Sequence, residues 1–534
     1  MDKLEKLILK LNNKYYFEFL SCHKKKFSHE SKIIFTELTR ILNVYLKLNL
    51  TIKNWELILG PWFYPSINLY YFYSFICKKK STDNNVKNYI RIIKNKRNVK
   101  IFCNDLEDFA FESNSREYLI NINRFILDDT NIDKFYKKIS LNINSYLKYF
   151  YLKFIYYFCK KKLLISRPRL NKLEILSLIF ITKFKIFALP TFDGIFRKKF
   201  KIVKSNREID LLNLIKKNHN HYRELRFLIN FLPSAYLENF YTYLNAGKNL
   251  LSNMNVIHSD STYIADEIFK FQLVFTKNNL QLSQHGGNFR VYGNNLLNVH
   301  EKNICSKYFV WGKKIDKKEI QKPSIRISNF YSLYRGKIKN SKKINKYKFC
   351  YICPPLKKTN FNFLFNYIEN NLEKKIYLKN FFSKIRNKKF VVKGYEENKR
   401  YKDQICTNEL SNFLGIKNHQ IKYNKEVIFR SDFLVFDYFS TLLFEVLSLD
   451  LPFILIIDQQ KHDLTKYGKD FLKLLKKLGI LFNSYNKAQS FINSDKSKNL
   501  KNLWQNRRNK AIKKKIIQDF ALYDNEKLNC YIKI

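Results

Sequence analysis

The spacing of apolar and polar positions changes along the chain. Residues 1–60 place apolar side chains at helical spacing, and this pattern ends at Gly60-Pro61. The overlapping aromatic stretch Trp55–Tyr73 contains two prolines and predicts a packed helix-turn-helix corner, with a substrate-gating role as the less favoured alternative. From about residue 96, short apolar runs alternate with longer amphipathic segments, which is typical of α/β domains.

The clearest unit of this pattern spans residues 432–457. Phe433–Phe436 is an apolar strand candidate, Asp437–Ser440 a turn, Thr441–Leu449 a helix and Phe453–Ile457 a second strand. A strand, a helix and a strand in this succession predict a βαβ unit, and therefore a parallel sheet.

A similar unit precedes it. Met254–Ile257 is a short strand candidate followed by the polar loop His258–Ser261, and after a helical segment Leu280–Ser283 is a strand that ends in Gln284–Gly287. The carboxyl ends of neighbouring parallel strands meet at one edge of a sheet. We therefore expect both loops to lie on the same rim.

These patterns divide the chain into five parts. They are a helical and aromatic segment (1–95), an α/β domain (96–312), a linker rich in Lys and Ser without sustained periodicity (313–345), a second α/β domain (346–491) and a basic helical tail (492–534).

Composition narrows the class of protein. The 534 residues are 46% hydrophobic with only 12 Gly and 9 Pro, which argues against a disordered chain. The net charge of +54 would suggest nucleic acid or an anionic membrane as a partner. However, Lys is spread along the whole chain and accompanies abundant Asn, Ile, Phe and Tyr, as A+T-rich codons would supply. Compositional bias is thus favoured over specific nucleic-acid binding, although the field still favours anionic nucleotides and the inner membrane surface.

Cysteine usage and hydropathy indicate a cytoplasmic protein. Nine scattered cysteines, an odd number, suit a reducing compartment. Met1–Lys10 is charged throughout, unlike a signal peptide, and charged residues interrupt the most apolar stretches. Peripheral contact with the inner membrane is the most that is expected. No D-x-D motif or His/Asp cluster suggests a metal, and no cofactor is expected.

The turn after the strand Phe433–Phe436 is one candidate site. Ser440 or Thr441 would cap the following helix and donate a hydroxyl to a phosphate at the helix N-terminus. Glu445, one turn further on, would bind ribose hydroxyls. The alternative is that Ser440 only caps the helix and that Glu445 is solvated.

The turn after Leu280–Ser283 is the second candidate. Gly286 and Gly287 allow close approach of the backbone to a ligand, and His285 titrates near neutrality as a general base needs. Asp260 on the neighbouring loop would converge with it. For each histidine alone, a structural role is the alternative, and it is the favoured one for His258.

Several motifs resemble a family of bacterial transferases of surface-carbohydrate biosynthesis. They are QHGGNF with Tyr292-Gly293, FVWG at Phe309–Gly312, the segment Asp437–Asp458 and the aromatic stretch near the start. That family is similar, more distantly, to glycosyltransferases of the two-Rossmann GT-B architecture, including capsule Kdo transferases and CDP-glycerol glycerophosphotransferases.

The resemblance implies two Rossmann-like domains that face a cleft, with an N-terminal helical extension and a C-terminal helix. The first domain would bind the acceptor, with His285 and Asp260 as catalytic residues. The donor would be bound by Gly286, Gly287, Lys393, Asp437, Tyr438, Ser440, Thr441 and Glu445. Two departures from the pattern are Phe439, where the relatives have Ser, and Lys393, where Arg is expected.

The implied reaction is metal-independent transfer of a sugar from a nucleotide-activated donor to a glycan or lipid-linked glycan acceptor. A glycerophosphotransferase with the same fold is the main alternative. A basic nucleic-acid-binding protein and a non-catalytic scaffold are the alternatives from other classes.

Overall fold

A computed structural model gives the architecture of the chain. It describes residues 3–96, 103–106, 108–109, 115–128, 135–158, 163–166, 170–189, 192, 195–204, 211, 213–215, 219–246, 256–259, 264, 266–274, 279–284, 286–293, 296–341, 347–354, 356, 371–395, 405 and 407–532.

The first part of the chain contains ten helices and eight strands among the described residues. In chain order they are α1 (Lys3–Tyr45), α2 (Ile52–Lys78), α3 (Asn84–Lys94), α4 (Arg116–Asp128), β1 (Phe135–Ile143), α5 (Tyr146–Phe158), β2 (Leu163–Ser166), α6 (Lys172–Ile181), β3 (Ile186–Leu189), β4 (Phe196–Lys204), α7 (Tyr222–Phe231), α8 (Phe240–Asn245), β5 (Val256–Ser259), α9 (Glu267–Leu273), β6 (Leu280–Ser283), α10 (Leu296–Ile304), β7 (Lys307–Val310) and β8 (Glu319–Gln321).

The second part contains the remaining elements of the described chain. They are α11 (Ile325–Ser341), β9 (Tyr347–Ile352), α12 (Asn371–Ser383), β10 (Phe390–Lys393), α13 (Thr407–Leu414), β11 (Ile421–Lys422), α14 (Glu426–Phe429), β12 (Ser431–Phe436), α15 (Thr441–Ser448), β13 (Phe453–Ile456), α16 (Lys466–Lys477), β14 (Leu481–Phe482), α17 (Tyr485–Asn493), α18 (Leu500–Gln505), α19 (Arg507–Phe520) and α20 (Lys527–Ile532).

The aromatic segment near the start is one continuous helix. The sequence predicts a helix end at Gly60-Pro61, but α2 runs through Pro61 and Pro65. Proline removes a backbone donor and normally bends or ends a helix. Here α2 is buried along most of its length, from Trp55 to Ile76, so tertiary packing outweighs the local preference. The predicted helix-turn-helix corner is therefore wrong.

Two six-stranded parallel sheets organise the molecule. The first has the order β3-β2-β5-β6-β7-β8, and the second β11-β10-β9-β12-β13-β14. Every pairing within both is parallel. β1 and β4 form a separate antiparallel ribbon. The predicted α/β class with parallel sheets is confirmed.

The strand order of the second sheet indicates the edge at which a ligand would bind. Counted along the chain, its strands follow the order 3-2-1-4-5-6, which is the order of the Rossmann fold. The order reverses between the neighbouring strands β9 and β12. In open parallel sheets, ligands bind outside the carboxyl ends of the strands at such a reversal. The turn that starts at Asp437 follows β12 directly.

Each sheet has its own hydrophobic core. One cluster of buried side chains joins α1–α3 to strands β2, β3, β5, β6 and β7, and a second surrounds strands β9–β13. The segment predicted as a linker carries regular structure, since β8 extends the first sheet and α11 packs against α15. Short polar segments with weak periodicity do not reveal such elements, because pairing with β7 and packing against α15 create them.

The C-terminal tail returns to the first part of the molecule. Leu522 donates its backbone N–H to the carbonyl of Trp311 at 2.7 Å. Lys527 in α20 forms an ion pair of 2.6 Å with Glu174 of α6. Among the helices of the described ranges, none combines the length and the apolar character needed for a membrane span.

Candidate active site

The two turns predicted as candidate sites, one after β6 and one after β12, are in direct contact. Gly287, after β6, donates its backbone N–H to the Thr441 hydroxyl at the start of α15, over 3.2 Å. A Cβ atom on Gly287 would lie 2.5 Å from the Ser440 carbonyl oxygen and 2.7 Å from the Phe444 ring. Only glycine fits at this approach. The glycine that was expected to approach a ligand therefore approaches the neighbouring helix.

The contact between the chain after β6 and the second part of the molecule continues beyond Gly287. Val291 accepts the backbone N–H of Thr465 at 2.9 Å, and Gly293 donates to the Asp463 carbonyl at 2.8 Å. Tyr292 forms an isolated β-bridge with Leu464. Residues 286–293, which leave the first sheet, are thus bound through backbone hydrogen bonds to the segment that precedes α16.

A buried cation stabilises this segment. Arg290 has a φ of +68°, in the left-handed region, and is almost fully buried. Its guanidinium binds both carboxylate oxygens of Glu319, at 3.2 and 2.9 Å, and lies 4.2 Å from the centre of the Tyr467 ring. The ion pair joins the segment to β8, and the ring contact joins it to α16.

The turn between β12 and α15 uses its hydroxyls within the protein. The Ser440 hydroxyl caps α15 by accepting the backbone N–H of Leu443 at 3.1 Å. Thr441 accepts from Gly287, which leaves its own hydroxyl hydrogen able to donate. The capping alternative for Ser440 matches its geometry, and Thr441 retains a donor for a ligand.

Asp437 forms the centre of a buried polar cluster. Its Oδ2 accepts hydrogen bonds from the hydroxyls of Tyr351 and Tyr485, each at 2.6 Å, and lies 2.9 Å from the Lys374 ammonium. The Asp437 and Lys374 side chains are only 1% and 8% exposed. A carboxylate repels phosphate, so Asp437 would act on an anionic ligand by holding Lys374 in place.

The other predicted donor-binding residues differ in their surroundings. Glu445 is buried and faces α11, where its carboxylate lies 3.9 Å from the Arg326 guanidinium. The alternative that Glu445 is solvated is therefore wrong.

Tyr438 is half-buried, and burial raises the pKa of its hydroxyl well above the ordinary range. Lys393 ends β10, at the same edge as β9 and β12, with its ammonium 3.3 Å from the Gly394 carbonyl. Gly286 accepts a hydrogen bond from the Gln284 amide at 3.1 Å.

The predicted catalytic residues His285 and Asp260 both lie outside the described residues. The neighbouring His258 is buried, and its Nε2 lies 3.1 Å from the Ser283 hydroxyl. Burial, with a contribution from Lys322, lowers the pKa of His258 to about 3. It is therefore neutral at physiological pH, in keeping with the favoured structural role.

A further histidine was not identified from the sequence. The His462 ring lies 5.7 Å from that of Tyr292, beside the segment 286–293. Burial, then the charge of Lys374, lowers the pKa of His462 to about 4. A neutral imidazole therefore lies close to both the segment 286–293 and the Asp437 cluster.

Sequence reasoning also missed Lys374, Tyr351, Tyr485 and Arg290. The two tyrosines are 86 and 48 positions from Asp437 along the chain, so no local spacing connects them. The sequence did not predict that Arg290 is buried either, because its ion-pair partner Glu319 lies in the segment predicted as a linker. In the described part of the chain, no group of three or more His, Cys, Asp or Glu side chains is arranged to hold a metal ion.

A comparison with known protein families indicates that the chain is a transferase. No curated protein is significantly similar to the chain. The sequence profile of the LIC12162 family transferase, in contrast, matches residues 20–533 and so covers both sheets and the contacts between them. The chain therefore belongs to the LIC12162 family of transferases.

Proposed function

We propose that this transferase moves a sugar from a nucleotide-activated donor to a surface glycan. The donor would bind outside the carboxyl ends of β9 and β12, and the fold would be of the GT-B type. The observation that carries the proposal is the 3-2-1-4-5-6 order of the second sheet, whose reversal point lies at the turn beginning with Asp437.

The charges around this turn suit a diphosphate or monophosphate. Lys374 is held at the turn by Asp437, and Lys393 ends a strand at the same edge. Thr441 retains a hydroxyl hydrogen, and the N-terminus of α15 contributes the positive end of its dipole. Together these groups would stabilise the negative charge of the departing nucleotide.

The contact between the two loops supports a shared site. Gly287 lies against Thr441, and His285 is two residues before Gly287 in the chain. In the proposed step, an acceptor hydroxyl oxygen attacks the anomeric carbon of the donor, and the bond from that carbon to the phosphate oxygen breaks. His285 takes the hydroxyl proton, with Asp260 in support, while the nucleotide leaves with the electron pair.

Calorimetry with the CMP, CDP, UDP and GDP forms of common sugars tests donor binding. The Ser440→Ala/Thr441→Ala variant loses a helix cap and a hydroxyl donor, and its nucleotide affinity should fall roughly tenfold or more. Thr51→Ala is a matched control, because Thr51 caps α2 by accepting from Asn54 at 3.2 Å. Both variants should lose cap stability, about 1 kcal/mol for one cap, but only the first should lose affinity.

The same panel separates the alternatives. Absence of nucleotide binding, or equal affinity of the double variant, would refute the proposed donor site. Transfer of glycerol phosphate from CDP-glycerol, in place of a sugar, would assign the enzyme to the glycerophosphotransferase type. For the chemical step, His285→Ala should lower turnover by roughly 10²–10⁴-fold while leaving nucleotide affinity intact.

A further inference from the structure

Helix α5 has an exposed apolar face. Leu152 and Ile155 are fully buried on its inner side. On its outer side, Leu147 is 85% exposed and Phe150 is 63% exposed. Large exposed side chains also occupy positions Tyr146, Phe154 and Tyr157. Positions 147, 150, 154 and 157 are spaced by three and four residues, so they form one stripe along the helix.

Helix α6 has the same character. It buries Leu178 on its inner side, whereas Leu173 is 75% exposed and Phe180 64% exposed. The stripe also includes Leu176, and Ile181 and Phe184 extend the exposed apolar surface beyond it. Isolated exposed apolar residues are common, but a contiguous group of leucines and aromatic rings marks an interaction surface.

Both helices flank the outermost strand of the first sheet. The Tyr151 hydroxyl of α5 donates to the Ala188 carbonyl of β3 at 3.1 Å. The ring of Phe180 in α6 lies 5.4 Å from that of Phe184, between ring centres. The Phe184 ring in turn lies 6.5 Å from the ring of Phe187, which belongs to β3. Both apolar stripes therefore lie beside the edge strand β3, and we call them together the α5–α6 surface.

The charge on this region is almost entirely positive. Residues 145–185 contain ten basic residues and one acidic residue, Glu174. Glu174 is paired with Lys527 at 2.6 Å. Exposed lysines border the apolar stripes at positions Lys148, Lys153, Lys172, Lys183 and Lys185. An occupant of this surface must therefore offer apolar area together with negative charge.

We propose that the α5–α6 surface docks the protein on a phospholipid bilayer that contains anionic head groups. The leucines and aromatic rings would enter the boundary between head groups and acyl chains. The lysines would extend to the lipid phosphates. A second copy of the chain suits the surface less well, because it would bring the same positive charge to the contact.

A tryptophan placed on the surface reports directly on insertion. The four native tryptophans, Trp55, Trp62, Trp311 and Trp504, are all buried. In the Phe150→Trp variant, the new indole should shift its emission to the blue on vesicles of phosphatidylglycerol and phosphatidylcholine, and brominated acyl chains should quench it. Leu333→Trp is the control, since Leu333 is 58% exposed on α11, outside both apolar stripes, and should show neither effect.

Co-sedimentation of the full chain with vesicles tests the energetic role. Leu147→Glu/Phe150→Glu and Leu173→Glu/Phe180→Glu should each reduce binding to anionic vesicles by roughly tenfold or more, because each removes two inserting side chains and adds two negative charges. Leu333→Glu/Ile376→Glu, at similarly exposed positions elsewhere, should bind like the wild type. Vesicles of phosphatidylcholine alone, or high salt, should weaken wild-type binding.

The outcomes are distinct from those of the donor-binding test, because vesicle binding needs no nucleotide. Unshifted and unquenched emission of the Phe150→Trp variant would overturn the proposal. So would equal vesicle binding by the wild type and the glutamate variants. A wild-type dimer that becomes monomeric in the glutamate variants, without any vesicle binding, would assign the surface to a second copy instead. If the glutamate variants fail to fold, the tryptophan measurement still decides.

Discussion

The close approach of Gly287 to α15 makes a quantitative prediction. In a Gly287→Ala variant, the new methyl group would lie 2.5 Å from the Ser440 carbonyl and 2.7 Å from the Phe444 ring, so the two loops must separate. Overpacking of this kind costs about 1–3 kcal/mol. Loss of the hydrogen bond from Gly287 to Thr441 adds about 0.5–1.5 kcal/mol. The free energy of unfolding should fall by about 1.5–4.5 kcal/mol in total.

Urea denaturation followed by tryptophan emission can measure this loss. The Trp311 ring lies 6.2 Å from the Phe444 ring, so displacement of Phe444 should also change the native emission spectrum. Gly336→Ala is the matched control, because Gly336 lies within α11 and a methyl group there would meet no side chain of the described residues within 4 Å. That change should stabilise the protein by about 0.5–1 kcal/mol, as alanine does in a helix interior.

A Gly287→Ala variant with wild-type stability and wild-type emission would refute the reasoning. The result would mean that the segment 286–293 does not pack on α15. A loss of stability without a change in emission would place the strain elsewhere than at Phe444. Either result would also remove the structural link between the two predicted loops.

Three further predictions address buried polar and ionisable side chains. Arg290→Met should lower the free energy of unfolding in urea by about 1.5–3 kcal/mol, since it removes the guanidinium hydrogen bonds of Glu319 but leaves the 2.6 Å ion pair between Glu319 and Lys302. Tyr485→Phe should cost about 1.5–3 kcal/mol in thermal or urea denaturation, because it removes a hydrogen bond to the Asp437 carboxylate. Burial holds the pKa of His258 at about 3 against an ordinary value of 6.5, so the unfolded chain binds more protons between these values. Stability should therefore fall as the pH drops from 6.5, by at most about 1.4 kcal/mol per pH unit, and His258→Gln should show a shallower slope.

The spacing of apolar residues was enough to predict several strands and helices of the two sheets. The run Leu280–Ser283 is a strand in the structure with the predicted bounds, and the unit at 432–457 is observed as β12, α15 and β13. Continuous apolar runs bounded by turn residues suffice there, because buried parallel strands and the helix between them each carry their own signal. The α/β class was accessible for the same reason.

Tertiary packing decided what local preference could not. Burial along most of its length keeps α2 helical through two prolines, and pairing with β7 makes the strand β8 out of a polar segment. Asp437 has its charge held by Lys374 and two tyrosines from other elements, and Gly287 has its backbone on Thr441. The chain sequence determines which groups can ionise or donate. Only the fold determines which of them meet, because those contacts join residues that lie tens to hundreds of positions apart.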